Sequence, residues 1–175
     1  MEKQKVNKEF VIKVPSKCST IELTAFEKMV ITGGEVTKSN LKQKILNAQL
    51  LLFYYEAAQL CGTAAIKTHN SEYFNKIVHA ASISEKLDNT INEIGWIYIC
   101  PSQRGKKLSL EFVKRLLDGY SKQIYSTVRE ENIAMKKTLL NAGFSKLGNP
   151  YKSSRGSYKL EFYLKNGNTT VDIYK

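Results

Sequence analysis

Proline, histidine and tryptophan are scarce in this chain, with three, two and one among 175 residues. Because there are so few prolines and no repeat or low-complexity stretch, nothing in the sequence indicates a linker. Residues 1–175 are therefore predicted to form a single domain, in which residues 1–15 are an edge strand or a loose tail. The hydrophobic content of 42% is enough for one sizeable core.

Long apolar runs are missing as well. The longest, Ala48 to Tyr55, falls far short of the roughly 20 residues that a membrane-spanning helix requires. The amino-terminal residues carry charges but no apolar stretch, so no signal peptide is expected. These two observations predict a cytoplasmic protein that has no membrane partner.

The chain has too few cysteines to build a disulfide framework. Cys18, Cys61 and Cys100 stand far apart, and none belongs to a C-x-x-C pair. Their odd number argues against a set of disulfides, and their spacing argues against structural zinc. His69 and His79 are too few for most metal sites. We therefore expect reduced thiols and no metal.

Positive charge is abundant. The formal net charge is +11, which raises the local concentration of anions such as nucleic acid, acidic protein or a phosphorylated cofactor. The net charge alone does not indicate which of these anions is the partner. The lysines are spread along the chain, and no aromatic-basic RNA-recognition motif stands out. A nucleic-acid partner such as tRNA or DNA stays an alternative.

The order of the predicted elements favours a mixed sheet. The first half predicts helices over residues 19–33, from 39 or 40 through 46, and over 71–80, and strands over 49–55 and 60–67. The second half predicts a strand over 92–99, a helix from 101 to about 120, a strand over 124–128, a helix over 131–141, and strands over 145–148 and 159–164. This succession indicates an α/β fold with helices packed on the faces of a mixed sheet.

A strand end, a turn and a basic helix start follow one another around Gly105. A helix amino terminus favours phosphate because its unpaired N–H groups and its dipole both attract negative charge. Gly105 lets the backbone approach a ligand closely, and Arg104, Lys106 and Lys107 add positive charge. The glycine-rich motifs typical of nucleotide hydrolysis and of dinucleotide binding are missing.

Two segments carry a family resemblance. The run from Ile99 to Lys106 (ICPSQRGK) resembles the acyl-CoA-binding motif of the GNAT acyltransferase superfamily. Asn132, followed by Gly143-Phe144 after ten intervening residues, resembles the family's asparagine–helix–Gly-Phe segment. The two matches cover roughly residues 91–148. Lys107 and Ser109 depart from the pattern, since the family usually has glycine, or glycine or alanine, at these positions.

The resemblance implies a GNAT-like fold, with a central, mostly antiparallel sheet that is splayed at the cofactor site and has helices on both faces. It implies an N-acyltransferase that moves an acetyl or similar group from acyl-CoA to an amine on a small molecule, peptide or protein. Acetyl-CoA is the expected co-substrate, without a metal. A homodimer is left open. The implied cofactor-binding residues are Ile97, Ile99, Cys100, Arg104, Gly105, Lys106, Lys107, Leu108, Ser109 and Asn132.

Glu93 is the candidate general base. An amine must lose a proton to attack a thioester, and a carboxylate in the same strand can accept that proton directly or through water. Glu93 alternates onto the strand face that carries Ile97 and Ile99. The alternative is a strand-end glutamate in solvent.

The general acid is less defined. Leu139 stands where many family members carry a tyrosine that protonates the leaving thiolate. Tyr151 is the candidate replacement, whereas Tyr98 alternates to the face opposite Glu93. Unassisted or water-assisted departure of the thiolate is the expected outcome, because ordinary thiols titrate near 8.5.

More than one interpretation is open for the acceptor pocket and for the function. By resemblance, an acceptor pocket would be lined by Phe26, Gly33, Gly34, Tyr151, Ser153, Arg155 and Tyr158. A polar turn over residues 153–157 explains that segment without a ligand and is the preferred interpretation. Two other functions stay open: an acyltransferase directed at nucleic acid, and a non-catalytic domain that binds nucleic acid.

Overall fold

The computed structural model describes residues 7–34 and 36–167. The chain divides into two compact units. The first contains the chain up to Thr68 and Ile94–Leu116, and the second contains His69–Glu93 and the chain from Leu117 onward. That residues 1–175 form a single domain stays a prediction, and residues 1–6 of the predicted edge strand or tail lie outside the described part.

The described residues form one seven-stranded, mostly antiparallel sheet in the order β1-β2-β3-β4-β5-β7-β6. The strands are β1 (Lys8–Lys13), β2 (Leu50–Glu56), β3 (Gln59–Lys67), β4 (Asn92–Ile99), β5 (Ile124–Arg129), β6 (Ser145–Lys152) and β7 (Lys159–Lys165). The helices are α1 (Thr20–Thr32), α2 (Leu41–Leu46), α3 (Ser71–Ala80), α4 (Leu108–Leu117) and α5 (Ile133–Asn141). The predicted mixed α/β sheet is confirmed.

One pair of neighbouring strands is parallel. β4 pairs with β5 through Asn92↔Ile124 and Glu93↔Tyr125. β5 in turn pairs antiparallel with β7 along its whole length, from Ile124↔Lys165 to Arg129↔Leu160. The strand order and this parallel pair help to define the topology of the sheet.

In the first unit, α1 begins where its sequence predicts. Ser19 Oγ accepts a hydrogen bond from the Glu22 amide at 3.2 Å, and the Glu22 carboxylate accepts one from the Ser19 amide at 2.7 Å. This reciprocal capping box satisfies two of the amides that a helix start leaves unpaired. The helix ends before Gly33 and Gly34, and Gly34 has a φ of +73°.

Helices cover both faces of the sheet in the first unit. Phe53 of β2 packs edge-on against Phe26 of α1, with ring centroids 5.4 Å apart. The next residue, Tyr54, points to the opposite face and packs against Phe112 of α4 at 5.7 Å. All four side chains are fully buried, and each such burial contributes about 1.5–3 kcal/mol.

The core of the second unit is aromatic. Tyr125 and Phe162 lie on neighbouring strands and stack with centroids 5.1 Å apart and an interplanar angle of 10°. Phe74 and Ile77 of α3 belong to the same buried cluster. α3 therefore packs on the sheet face that carries Tyr125.

Two element boundaries differ from the prediction. The helix expected from about residue 101 begins at Leu108, because Gly105 and Lys107 adopt left-handed φ values of +79° and +59° that a right-handed helix cannot contain. The strand expected to end at Gly148 continues to Lys152. Gly148, at φ +64°, lies in an irregularity of the β6–β7 register and does not end the strand.

Candidate functional site

The loop after β4 is anchored to β3. The Cys100 amide donates to the carbonyl of Cys61 at 2.8 Å. A short 3₁₀ turn over Pro101–Gln103 follows, in which the Gln103 amide donates to the Cys100 carbonyl at 2.9 Å. The start of the loop is therefore fixed by the sheet, and the backbone N–H of Cys100 already has a partner.

The backbone amides of residues 105–108 lie just after this turn, up to the start of α4. Among the backbone hydrogen bonds of the described residues, none uses the amide of Gly105, Lys106, Lys107 or Leu108. A Cβ placed on Gly105 would meet no atom within 4 Å, so there is open space beside the glycine. Successive N–H groups around left-handed residues form an anion-binding concavity. The loop therefore fits a phosphate or pyrophosphate group.

The three cations of the loop differ in what they contact. Arg104 Nε donates to the carbonyl of Ile99 at 3.1 Å, which braces the loop. Lys106 Nζ donates to Gln103 Oε1 at 2.5 Å and lies 3.6 Å from a carboxylate oxygen of Glu56. Lys107 is exposed. Because Glu56 partly balances Lys106, Arg104 and Lys107 supply most of the uncompensated charge.

The other predicted cofactor residues lie in different surroundings. Ile97 and Ile99 are half-buried in β4, Leu108 is buried at the start of α4, and Ser109 follows it. Asn132 belongs to the second unit, where its side-chain oxygen accepts a hydrogen bond from the Met135 amide at 3.0 Å and caps α5. A cofactor contact of Asn132 stays a prediction.

Glu93 is buried, with 9% of its surface exposed. The alternative of a strand-end glutamate in solvent is therefore wrong. The alternation argument does not hold either. Trp96 has a φ of +52°, and a left-handed residue breaks the alternation of a strand. The faces of Ile97, Ile99 and Tyr98 consequently cannot be read from that of Glu93.

Three tyrosines of the second unit, Tyr73, Tyr125 and Tyr151, pack in one cluster, and Tyr125 contacts the Glu93 carboxylate. The Tyr125 hydroxyl donates to Glu93 Oε2 at 3.5 Å. Burial, and next the negative charge of Glu93, raise the pKa of Tyr125. The same two causes raise the pKa of Tyr73 to about 12, against hydrogen bonds from Thr127 and Arg155 that lower it. These phenols stay protonated and act as hydrogen-bond donors.

Tyr151 is the third of these tyrosines. It is 7% exposed, and its hydroxyl has no hydrogen-bond partner among the described residues. Burial raises the pKa of Tyr151, and so do Tyr73 and Glu93, whereas Arg155 lowers it. Tyr151 belongs to the same buried cluster as Tyr125, which donates to Glu93. The catalytic roles of Glu93 and Tyr151 stay predictions. Leu139 is fully buried and offers no proton.

Sequence analysis did not single out Tyr73, Tyr125 or Thr127. Tyr125 is the register partner of Glu93 across the parallel pair, a relationship that becomes visible only once β4 and β5 are aligned. Tyr73 lies in the first turn of α3, where its amide donates to the Asn70 side chain at 2.8 Å. An aromatic residue near a helix start is too common a pattern to signal a site.

The residues that the structure describes offer neither a metal-binding cluster nor a membrane-spanning helix. No cluster of three or more histidine, cysteine, aspartate or glutamate side chains there could hold a metal ion. In the same residues, every helix is too short or too polar to cross a membrane.

No protein-family model and no curated protein matches the sequence. Solved structures do match. A GNAT-family acetyltransferase from Streptococcus agalactiae is 17% identical, with a TM-score of 0.65 over 90% of this chain and 95% of that one. The chain has the GNAT fold.

Two further solved structures match this chain with similar sequence identities and TM-scores. An acyl-CoA N-acyltransferase from Pseudomonas aeruginosa is 12% identical, with a TM-score of 0.64 over 91% of this chain and 99% of that one. The protein yncA from Salmonella typhimurium, solved with its cofactor acetyl-CoA, is 17% identical, with a TM-score of 0.60 over 91% and 94%. At these identities the similarity establishes the fold.

Proposed function

We propose that this protein is an acyl-CoA-dependent N-acyltransferase that transfers an acetyl or similar acyl group to an amine. The observation that carries the proposal is the loop from Arg104 to Leu108, whose amides and cations suit a pyrophosphate in a chain with the GNAT fold. The acetyl-CoA bound by the Salmonella typhimurium neighbour supports the same co-substrate.

The residues of this chain have distinct roles in the proposal. The amides of Gly105 to Leu108, with Arg104 and Lys107, hold the pyrophosphate. Half-buried Ile97 and Ile99 contact the less polar part of the co-substrate. Bound acyl-CoA supplies an activated thioester.

The acid–base chemistry belongs to the second unit. Glu93 takes a proton from the amine, and Tyr125 holds the carboxylate by donating to it. Tyr151 is less suited to be an acid, because its raised pKa favours keeping the proton. We therefore infer that the thiolate leaves without a proton from a tyrosine.

Two measurements test this function. Isothermal calorimetry with acetyl-CoA should show binding, and incubation with acetyl-CoA and an amine library should give acyl mass gains on at least one amine. Adding tRNA to the library examines nucleic acid as the acceptor. Absence of both binding and mass gain would contradict the proposal.

A further inference from the structure

Two cysteines of the first unit face each other where β4 ends. The Cys100 amide donates to the Cys61 carbonyl at 2.8 Å. Further along the same neighbouring strands, Thr63 Oγ1 donates to the Trp96 carbonyl at 3.3 Å. Residue numbers that rise along β3 therefore fall along β4, so the two strands run antiparallel. In an antiparallel pair an N–H···O bond joins residues that are directly opposite each other, as Cys61 and Cys100 are.

This pairing brings the two side chains within reach of a disulfide. Directly opposite residues carry their side chains on the same face of the sheet. In a hydrogen-bonded antiparallel pair the Cα atoms lie about 5.5 Å apart, inside the range of about 4.4–6.8 Å that a disulfide spans. Both thiols are free. Burial raises the pKa of the Cys61 thiol, and the nearby Cys100 thiol raises it further, which agrees with two sulfur atoms side by side.

The two thiols differ in their access to solvent. Cys61 is 6% exposed. Cys100 is half-buried and follows the last residue of β4. Because a thiol must be accessible to react with a dissolved oxidant, Cys100 would react first. Cys61, directly opposite, would then be in position to displace the oxidant from Cys100.

A bond between the sulfur atoms would move the start of the loop over residues 104–108. Opposite Cβ atoms of a hydrogen-bonded pair lie about 5.5 Å apart, whereas a disulfide holds its Cβ atoms about 3.5–4.5 Å apart. The two Cβ atoms must therefore approach each other by about 1 Å or more. Cys61 lies on β3, which has β2 and β4 on its two sides, whereas Cys100 lies outside β4. Cys100 should make most of this movement.

Glu56 connects the same thiol to the loop through side chains. A hydrogen bond from the Glu56 backbone lowers the pKa of Cys61, against the effect of burial. The Glu56 carboxylate lies 3.6 Å from Lys106 Nζ, and Lys106 Nζ also donates to Gln103 Oε1. A change at the thiol pair can therefore reach Lys106 through Glu56 as well as along the backbone from Cys100.

We propose that Cys61 and Cys100 are a redox-active pair, which a low-molecular-weight disulfide converts into an internal disulfide that displaces the loop and weakens its binding of acetyl-CoA. The effect on acetyl-CoA rests on the proposed function. The disulfide and the displacement of the loop do not.

The oxidation balances as two thiol–disulfide exchanges. The Cys100 thiolate attacks one sulfur of the small disulfide, which forms a mixed disulfide and releases the other half as a thiolate. Cys61 loses its proton and attacks Cys100 Sγ, and the bond to the small molecule breaks with its electron pair going to the leaving sulfur. The two cysteine protons end on the two released thiols. The protein pair loses two electrons, and the small disulfide gains them.

The first test treats the native, reduced protein with oxidised glutathione at about pH 8, where ordinary thiols are partly ionised. Intact mass should fall by two hydrogen atoms, and peptide mapping should join Cys61 to Cys100. Cys61→Ala should stop at a mixed disulfide on Cys100. Cys18→Ala should form the same internal bond as wild type, because Cys18 lies before α1, where its Sγ donates to the Val14 carbonyl at 3.6 Å.

The second test measures the loop in the reduced and in the internally bonded protein. The amide NMR signals of residues 105–108 should shift on oxidation and return after treatment with dithiothreitol. Calorimetry should show that the bonded protein binds acetyl-CoA about tenfold or more weakly than the reduced protein, because a displacement of about 1 Å disturbs several hydrogen bonds together. Cys18→Ala should show the same difference in affinity.

Each part of the proposal has its own contrary result. A Cys61–Cys100 bond that forms only in urea, or not at all, would overturn the redox pair. Unchanged amide signals of residues 105–108 would overturn the displacement, and equal affinity of the bonded and reduced proteins would overturn the effect on acetyl-CoA. If the reduced protein fails to bind acetyl-CoA, the proposed function is contradicted, and mass spectrometry and NMR still decide whether the thiol pair acts on the loop.

Discussion

The Tyr125 hydroxyl donates to Glu93 Oε2 at 3.5 Å, and both side chains are buried. The two residues are also register partners across the parallel pair of β4 and β5. Because burial and the nearby carboxylate raise the pKa of Tyr125, its phenol stays protonated and can donate to that carboxylate. The pairing of β4 with β5 thereby places a hydrogen-bond donor against the Glu93 side chain.

Replacing that carboxylate tests its role. Glu93→Gln keeps the shape of the side chain but removes the proton acceptor, so turnover should fall roughly 10²-fold or more while the KM for acetyl-CoA stays nearly constant. The measurement is steady-state acyl transfer across a pH series. Glu85→Gln makes the same change on an exposed loop residue and should leave turnover unaltered. A pH–rate profile that is identical in wild type and Glu93→Gln would assign the proton to another group or to water.

The buried hydroxyl of Tyr151 gives a test of whether a tyrosine acts as the general acid. Because burial keeps this phenol protonated, Tyr151→Phe should leave the chemical step within a few-fold of wild type. Removing an unpartnered buried hydroxyl should also raise the free energy of unfolding, by up to about 1 kcal/mol. Single-turnover kinetics and urea denaturation measure the two effects. A 10²-fold loss in the chemical step of the folded variant would show that Tyr151 is the missing acid.

The loop before α4 gives a binding prediction. Arg104→Glu removes an attraction and adds a repulsion at the amides of Gly105 to Leu108, so acetyl-CoA should bind at least about tenfold more weakly, or about 1.4 kcal/mol. Calorimetry at two salt concentrations measures this difference, which should shrink at higher salt. Lys28→Glu also replaces a positive charge with a negative one, at an exposed position on a helix. This control variant should bind acetyl-CoA as tightly as wild type does. Equal affinity of Arg104→Glu and wild type for acetyl-CoA would show that this loop does not bind the co-substrate.

Local signals predicted much of the fold. The Ser19–Glu22 capping box starts α1 as expected, and the apolar composition of Asn92–Ile99 gives the observed bounds of β4. Both patterns depend on residues a few positions apart. The structure departs from the sequence prediction where backbone conformation is set by more distant contacts, as at Gly148, where a predicted strand end proved to be an irregularity within β6.

The candidate site was less predictable for the same reason. Glu93 was identified from its strand, but its neighbours Tyr73 and Tyr125 come from α3 and β5, which only the three-dimensional structure brings together. The alternation rule also failed within a single strand, because the left-handed φ of Trp96 leaves no mark in the sequence. Glycine favours such a conformation, whereas tryptophan gives no warning of it.

A second buried carboxylate, Glu161 on β7, predicts how stability depends on pH. It is 3% exposed and lies 2.8 Å from Lys146 Nζ and 3.2 Å from Lys136 Nζ, and it accepts a hydrogen bond from the Tyr163 hydroxyl at 3.0 Å. Burial alone would raise its pKa, but the hydrogen bonds from Lys146, Tyr163 and Lys136 outweigh burial and lower the pKa. Glu161 therefore contributes to stability while it is ionised.

Glu161→Gln should lower the free energy of unfolding at neutral pH by about 1.5–3 kcal/mol, the range for hydrogen bonds to a charged group. The control is Glu72→Gln. Glu72 lies 2.7 Å from Lys76 in an exposed pair, with 80% and 71% of the two side chains accessible, and its loss should leave the unfolding midpoint unchanged. Urea denaturation of both variants at pH 7 measures the contrast. Equal effects would mean that burial of Glu161 adds nothing.

The sign of the pH dependence follows from the lowered pKa. A carboxyl whose folded pKa lies below its unfolded value stabilises the fold above the unfolded pKa, and that contribution is lost as pH falls through the folded pKa. The stability gap between wild type and Glu161→Gln should therefore be constant from pH 7 to about 5 and close progressively below about pH 4, near the ordinary glutamate value. Denaturation curves of both proteins at stepped pH would reveal this closure. A gap that instead persisted unchanged to pH 2 would mean that the Lys136–Glu161–Lys146 contacts contribute through packing, not through charge.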